Sequence, residues 1–485
     1  MNIPPLVRTR YAPSPTGELH LGGLRTALYS FLWARHHGAA GQFYVRIEDT
    51  DRERLVPGSA DRMLALLATF GLRWDDGPYV QSERLSLYRG VAETLLAGGH
   101  AYRCDCSADR LTALRTAQAE AKQPTGYDRH CRNRTDVDPQ QPHVVRFRTP
   151  ESGTVTVTDM IYDPMTVDCA TLDDFVLLKS DGFPTYHLAH VVDDHDMGTT
   201  HVTRGPEWLP SLPQHVLLFR ALGWEPPTYA HLPLLCNAQH KKLSKRDGDV
   251  SVAAFLPWCL PEALLNFVAL LGWNPSADRE LYTLEELIAT FDLAKVNRSP
   301  AVVDFTKLEW MNSEYLKRLT PTELLTRVAR ATGYMMRDAE KNTWTLRDDP
   351  QRHVDQEFLE RVMTLEQPRL HRLDAIPLWY FAPYQRTAPL SWKTTDPATT
   401  IARLTAVVEY LERLEVWPPS PQDLEAQMKP WIIEHGWGIG EVLWPMRVAL
   451  SGQTASPSPF ELAWCFGREE TLAHLRNAIM HADVS

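Results

Sequence analysis

Two short runs, far apart in the chain, carry the residue types needed to hold a nucleoside triphosphate. In Pro13-Ser14-Pro15-Thr16-Gly17-Glu18-Leu19-His20-Leu21-Gly22-Gly23, the closing glycines let an anion reach backbone N–H groups where a helix begins, and the helix dipole favours negative charge there. His20 adds a side-chain donor. In Lys242-Leu243-Ser244-Lys245-Arg246, three cations stand in a hydrophilic stretch with Gly248 behind them. Each run alone has an ordinary reading: a glycine-broken turn bearing a surface histidine, and a solvated basic loop. Neither a Walker-type Gly-x-x-x-x-Gly-Lys nor a Gly-x-Gly-x-x-Gly stands where the first strand meets its helix, so the commonest phosphate cradles are excluded.

A second group suits an anionic small molecule. Arg10 lies in a run with strand character, Val7 to Tyr11, and Arg204 and Glu48 close two others, His201 to Arg204 and Phe43 to Glu48. In open parallel α/β sheets the C-terminal strand ends bind ligands, and a guanidinium fork placed there matches a carboxylate. A single arginine at a strand end is ordinarily a surface ion pair. Three charged residues at predicted strand ends, beside two phosphate-binding runs, make a site.

These residues need a scaffold, and the surrounding patterns supply one. Leu24, Leu28, Phe31 and Leu32 form the apolar stripe of a helix after the first strand, and Phe43, Val45 and Ile47 form the core face of a second strand. A helix from about Ala60 to Phe70 follows. Residues from Cys104 to about Pro184, with short β-like pieces at Val144 to Arg148 and Thr154 to Thr158, read as an insertion. Alternation resumes with His201 to Arg204, a helix near Leu212 to Leu222 and an apolar strand, His231 to Cys236. From about Ala253 the spacing is mainly helical, punctuated by proline.

At 485 residues the chain exceeds what one hydrophobic core organises. A net charge of −11 argues against coating nucleic acid through a basic face, and leaves room for one RNA met by local clusters of Lys and Arg. The N-terminal run lacks a secretory profile, and no apolar run approaches the ~20 residues of a membrane span. Seven cysteines, an odd number, fit reduced thiols better than a disulfide framework, and the expected location is cytoplasmic.

Taken as a pair, the two phosphate-binding runs resemble the paired signatures of class I aminoacyl-tRNA synthetases. The flanks narrow the match. Arg10-Tyr11-Ala12-Pro13-Ser14-Pro15-Thr16-Gly17, Arg46-Ile47-Glu48-Asp49-Thr50-Asp51, Val191-Val192-Asp193-Asp194-His195 and Lys242 to Arg246 are similar, in wording and order, to bacterial glutamyl-tRNA synthetases. Gly23 stands where the class usually has a second His, and Leu243 and Arg246 where Met and Ser are commoner; the glutamyl branch shares these departures. After Arg204 the chain departs further, at Pro206, Pro210 and Leu212.

The resemblance implies an α/β fold: a Rossmann-like parallel-sheet catalytic domain in two halves, 1–103 and 185–240, around an α+β acceptor-binding insertion at 104–184. A helical stem-contact domain with the basic loop (241–320) and a helical anticodon-binding domain (321–485) would follow. It implies activation of L-glutamate by ATP with Mg2+, transfer to tRNA(Glu), and a monomer. His20, Lys242 and Lys245 would be catalytic. Pro13, Gly22, Gly23, Glu207, Trp208, Leu243, Ser244, Lys245 and Arg246 would contact ATP. Arg10, Ala12, Ser14, Glu48, Tyr186 and Arg204 would hold glutamate, and Arg369 would face the anticodon. Cys104, Cys106, Tyr127 and Cys131, with His130 an alternative to the tyrosine, would bind one structural Zn2+; free thiols are the other reading. Cys169, Cys236, Cys259 and Cys465 lack companions and read as core residues. The rival functions are a paralogue that glutamylates a modified tRNA base, an enzyme that also charges tRNA(Gln), a small-metabolite nucleotidylyltransferase, and a non-enzymatic tRNA-binding relative, which the two intact nucleotide runs disfavour.

Overall fold

The Val7–Tyr11 run forms strand β1 and the predicted apolar stripe forms helix α1 (Leu21–His36), which returns the chain to β2 (Gly41–Ile47) alongside β1. Helix α2 (Ser59–Thr69), strand β3 (Asp76–Val80) and helix α3 (Leu85–Ala97) complete the first half. The insertion holds β4 (Ala101–Cys104), α4 (Ala108–Glu120), β5 (Val144–Phe147), β6 (Thr154–Val157), β7 (Met165–Asp168) and β8 (Val176–Leu178). Helix α5 (Tyr186–Asp196), β9 (His201–Arg204), α6 (Leu212–Ala221) and β10 (Thr228–His231) rebuild the α/β alternation. This computed structural model describes residues 6–243, 251–338, 343–382 and 384–482.

The main sheet runs β10-β9-β1-β2-β3 with every pairing parallel. Strand order grows to one side from β1 to β3, and then to the other side through β9 and β10. The reversal falls between β1 and β9, and the crevice above such a switch point is where open α/β sheets bind ligands. Arg10 and Arg204 lie at the C-terminal ends of these two strands. In β2 both faces are buried: Phe43, Val45 and Ile47 as expected, and Tyr44 and Arg46 as well. A central parallel strand is covered by helices on both sides, so alternation reads only half of its burial.

The expected strand His231 to Cys236 is divided. The sheet strand lies earlier, at Thr228–His231, and Leu235–Cys236 pairs instead with Ala301–Val302. Pro233, which has no N–H to donate to a ladder, stands between the two pieces.

The chain forms two compact units, Met1–Leu256 with Pro261–Leu308, and Pro257–Leu260 with Glu309–Ser485. The second unit is helical at Pro321–Thr332, Gln356–Glu366, Pro397–Glu412, Pro421–Glu434, Ile439–Ser451 and Pro459–Met480, the last kinked at Gly467. It also contains an antiparallel sheet, Met335–Asp338, Thr343–Leu346 and Asp349–Val354, within the stretch read as helical. Trp344 and Leu346 alternate inward against the outer Thr343 and Thr345, so the two-residue period was present in the sequence.

Candidate active site

His20 caps α1. Its Nδ1 accepts from the Gly23 N–H at 3.2 Å, which places the ring proton on Nε2 and leaves that N–H to donate outward along the exposed edge of the ring. Desolvation holds the imidazole below its ordinary value, with Glu207 opposing and Lys242 reinforcing the shift, so the ring is a neutral donor. A Cβ on Gly23 would lie 2.9 Å from both Leu19 Cδ1 and Tyr11 Oη, which accounts physically for glycine at this position. Gly22 stands beside it in the first turn of α1.

Backbone pairing holds the start of the basic run against Leu235–Cys236, and the chain from Ser251 against the His20 turn. Lys242 bridges to Cys236, and the Leu243 N–H donates to Leu235 at 3.0 Å. Beyond the run, Ser251 bridges to His20 itself, and the Val252 N–H donates to Leu19 at 2.8 Å. Ser244, Lys245 and Arg246 lie outside the described residues. Lys242 is exposed.

At the switch point Arg10 is buried, donating through Nε to Asp194 Oδ1 at 3.0 Å and through Nη1 to the Thr203 carbonyl at 3.3 Å. The same Asp194 oxygen accepts from Arg46 Nη1 at 2.7 Å. Asp194 is held well below the usual carboxylate range: burial opposes ionisation, and the two guanidinium groups overcome it. Asp193 next door accepts from Gln81, Arg84 and Tyr88. Arg46 also reaches Glu48, with Nη2 at 2.9 Å and Nε at 3.3 Å from the same oxygen, Oε1. Among the described residues no hydrogen bond engages Glu48 Oε2, which can take an ammonium donor. Burial raises the Glu48 carboxyl, while Arg46 and Arg10 hold it down. The Glu48 N–H donates to the Pro13 carbonyl at 2.9 Å, fastening the loop that carries Ala12, Pro13 and exposed Ser14 to the end of β2.

Arg204 is buried but differently partnered. Nε donates to His231 Nε2 at 2.9 Å, and Nη1 lies 3.1 Å from Tyr186 Oη, 3.2 Å from His215 Nδ1 and 3.4 Å from His190 Nε2. Nη2 donates to the Trp208 carbonyl at 3.3 Å. Tyr186 packs on Trp208 with ring centroids 3.9 Å apart. Glu207 is exposed at the start of the short helical turn Pro206–Ser211, where the departures from the family pattern fall. Sequence reading singled out the two arginines and Tyr186. It did not single out Arg46, Asp194, His190, His215, His231 or Asp159 as supports; only their place in the quoted Arg46 to Asp51 and Val191 to His195 runs marked two of them.

In the insertion, the sulfurs of Cys104, Cys106 and Cys131 all lie within 4.8 Å of one another, with Cys106 and Cys131 3.5 Å apart. Tyr127 Oη sits 3.3 Å from Cys104 Sγ and 3.5 Å from Cys106 Sγ, whereas His130 is exposed and outside the group. A tetrahedral cation with ~2.3 Å bonds to sulfur separates its ligands by about 3.8 Å, so three sulfurs and the phenol oxygen fit one. Arg110, Arg134 and Arg146 surround the cluster; burial opposes ionisation of Cys104, yet hydrogen bonds and Arg146 hold its thiol below the ordinary value, whereas burial and the neighbouring sulfurs push Cys106 up to about 11.

In the second unit, Arg369 is half exposed. It donates to the Leu365 carbonyl at 2.7 Å and pairs with Glu461 at 3.1 Å. Trp431 packs on Tyr410, and Trp444 donates to the Pro389 carbonyl, so these tryptophans are at least partly structural. Asn312 is fully buried, its amide bound to backbone groups of Trp258, Leu260 and His371.

The chain is similar to known proteins over nearly its whole length. The family described as tRNA synthetases class I (E and Q), catalytic domain, matches residues 6–310, and an anticodon binding domain family matches 324–479. A glutamate–tRNA ligase of Dehalococcoides mccartyi is 41% identical, covering 98% of this chain and 97% of the relative. One from Lachnoclostridium phytofermentans is 38% identical, with 98% of each covered. A crystal structure of a glutamate tRNA ligase from Elizabethkingia meningosepticum, in complex with its amino acid, superposes with a TM-score of 0.85 at 32% identity, covering 98% of this chain and 100% of that one.

Proposed function

The chain belongs to the class I tRNA synthetases of the glutamyl and glutaminyl branch, and from that membership we propose that it is a glutamate–tRNA ligase. It joins the α-carboxylate of L-glutamate to the α-phosphorus of ATP, releasing pyrophosphate, and then passes the glutamyl group to the terminal ribose hydroxyl of tRNA(Glu), releasing AMP. The observation that carries the choice of amino acid is Arg204, a buried guanidinium at the switch point with no carboxylate in ion-pair contact among the described residues. A side-chain carboxylate supplies the missing charge. Glutamine, neutral and of the same shape, leaves it unmet.

The substrate is its own nucleophile, so the protein's work is alignment and charge. The Nε2–H of His20 and the N–H groups at Gly22 and Gly23 bind phosphate oxygens at the start of α1, with Lys242 and Lys245 on the transition-state charge and the departing pyrophosphate. Magnesium, when bound with ATP, neutralises phosphate charge. Glu48 takes the substrate ammonium, Arg10 faces a carboxylate with Ala12 and Ser14 lining its approach, and Tyr186 orients the chain of the amino acid. Pro13, Glu207, Trp208, Leu243, Ser244 and Arg246 border the nucleotide. Cys104, Cys106, Cys131 and Tyr127 hold one zinc ion that staples the insertion, Arg369 faces the anticodon, and the enzyme acts as a cytoplasmic monomer. The anticodon-binding match disfavours the base-modifying paralogue.

Glutamate-dependent exchange of pyrophosphate into ATP, with and without tRNA, is the test. Exchange with glutamate and not with glutamine is expected; none under either condition refutes the proposal. Metal analysis of the purified protein is expected to return about one zinc per chain, and its absence refutes the zinc site.

A further inference from the structure

Arg204 can only donate, through five N–H groups. Among the described residues every hydrogen bond it makes is to a neutral acceptor: imidazole nitrogens of His231, His215 and His190, the Tyr186 oxygen and the Trp208 carbonyl. The imidazoles are themselves oriented from behind. His231 Nδ1 lies 2.6 Å from Asp159 Oδ2, so it carries the ring proton and donates it there, leaving Nε2 as the acceptor for Arg204. Asp159 is fixed by the N–H groups of Ile161, Tyr162 and His231, in the loop between β6 and β7 of the insertion. His215 Nδ1 accepts from Arg204, so its proton is on Nε2, 3.0 Å from His187 Nδ1. Two acidic groups thus stand one imidazole away from the guanidinium: Asp159 behind His231, and Asp194 near His190, 2.9 Å from its Nδ1.

We infer that His231, oriented by Asp159, and His215, oriented by His187, are positioning residues that set Arg204's direction while withholding a protein counter-ion, so that the carboxylate of the bound amino acid becomes that counter-ion. A carboxylate in the place of either imidazole would hold the arginine as well and would neutralise it before substrate arrived. An apolar residue would leave a charged donor unsatisfied and free to turn. The neutral acceptor satisfies hydrogen bonding without cancelling charge. Burial keeps His187, His231 and His215 below their ordinary values, in agreement with neutral rings. This rests on glutamate being the substrate, as proposed above.

The test uses the full chain and the exchange assay, with glutamate and ATP varied separately. Asn places an oxygen where imidazole Nδ1 stood and Gln where Nε2 stood, so His215→Asn and His231→Gln retain the acceptor, whereas His215→Leu and His231→Leu remove it. The leucine variants are expected to raise the KM for glutamate by about ten- to a hundredfold, the range for losing a hydrogen bond to a charged group, with the KM for ATP within about twofold. The acceptor-retaining variants should recover most of the loss, and Asp159→Asn should fall between. The inference is overturned if leucine and acceptor-retaining variants behave alike, or if the KM values for ATP and glutamate rise together. Should the leucine variants not fold, Asp159→Asn decides: a raised KM for glutamate with the KM for ATP unchanged supports the inference, and no rise, or an equal rise for both, overturns it. Absence of glutamate-dependent exchange in the unaltered chain would instead refute the substrate assignment, a distinct outcome.

Discussion

At the amino-acid end of the candidate site, Arg10, Arg46, Arg204, Asp194, His190 and His215 are all buried and each meets at least one other charged or polar group, whereas at the phosphate end His20 and Lys242 are exposed and it is the backbone that is tied down. The two ends handle different chemistry. The side-chain carboxylate that must be told from an amide takes no part in the reaction and keeps its charge throughout, so fixed charges in a dry pocket serve it. Phosphate changes charge distribution during the reaction and leaves, so donors at a helix start and an exposed Lys242 suit it.

Substitutions at the two ends should therefore differ in kind. The largest effect is expected from Arg204→Leu: a site built to pair a substrate group loses about 10^4-fold in discrimination when that pairing is removed, read as a collapse of glutamate kcat/KM with an unchanged KM for ATP. Next comes Asp194→Asn, which leaves Arg10 and Arg46 with less compensation in a dry interior; breaking a buried pair costs about 3–5 kcal/mol, visible as a lower thermal midpoint before activity is assayed. Lys245→Ala should lower kcat by about 10^2–10^3-fold, the scale of one lost transition-state donor, with a small change in ATP binding. Equal losses in kcat and ATP affinity would erase the proposed contrast between the ends.

The smallest effect is expected from pH. Burial lowers His187 to about 4 and His201 to about 4, against 6.5 when unfolded. Between those values the unfolded chain binds protons that the folded chain excludes, so stability is complete above about pH 6.5 and falls as pH drops toward 4. Thermal midpoints should be level from pH 8 to 7 and lower at pH 5. A midpoint that rises on acidification would show that these rings are charged in the folded protein.

Much of this was legible in residue order because it was local. Val7 to Tyr11, the Leu24 to Leu32 stripe and the glycines at 22 and 23 declare their own conformations, and arginines at strand ends declare a binding edge. The positioning residues were hidden for a physical reason. His231 follows β9 by a helix and a turn, and Asp159 comes from a hairpin loop in the insertion; only the folded sheet brings both to Arg204. Arg46 was masked by its strand, whose alternation gave no sign that the second face is buried. The sheet at 335–354 was missed although Trp344 and Leu346 alternate, since helical spacing on both sides outweighed a short two-residue period.

The arrangement around Arg204 also bears on the protein when it is idle. With no carboxylate in ion-pair contact among the described residues, Arg204 is a buried cation without a protein counter-ion, and an anion that binds beside it lowers the free energy of the folded state alone. Glutamate is then a stabiliser as well as a substrate, by mass action, and small inorganic anions are its competitors.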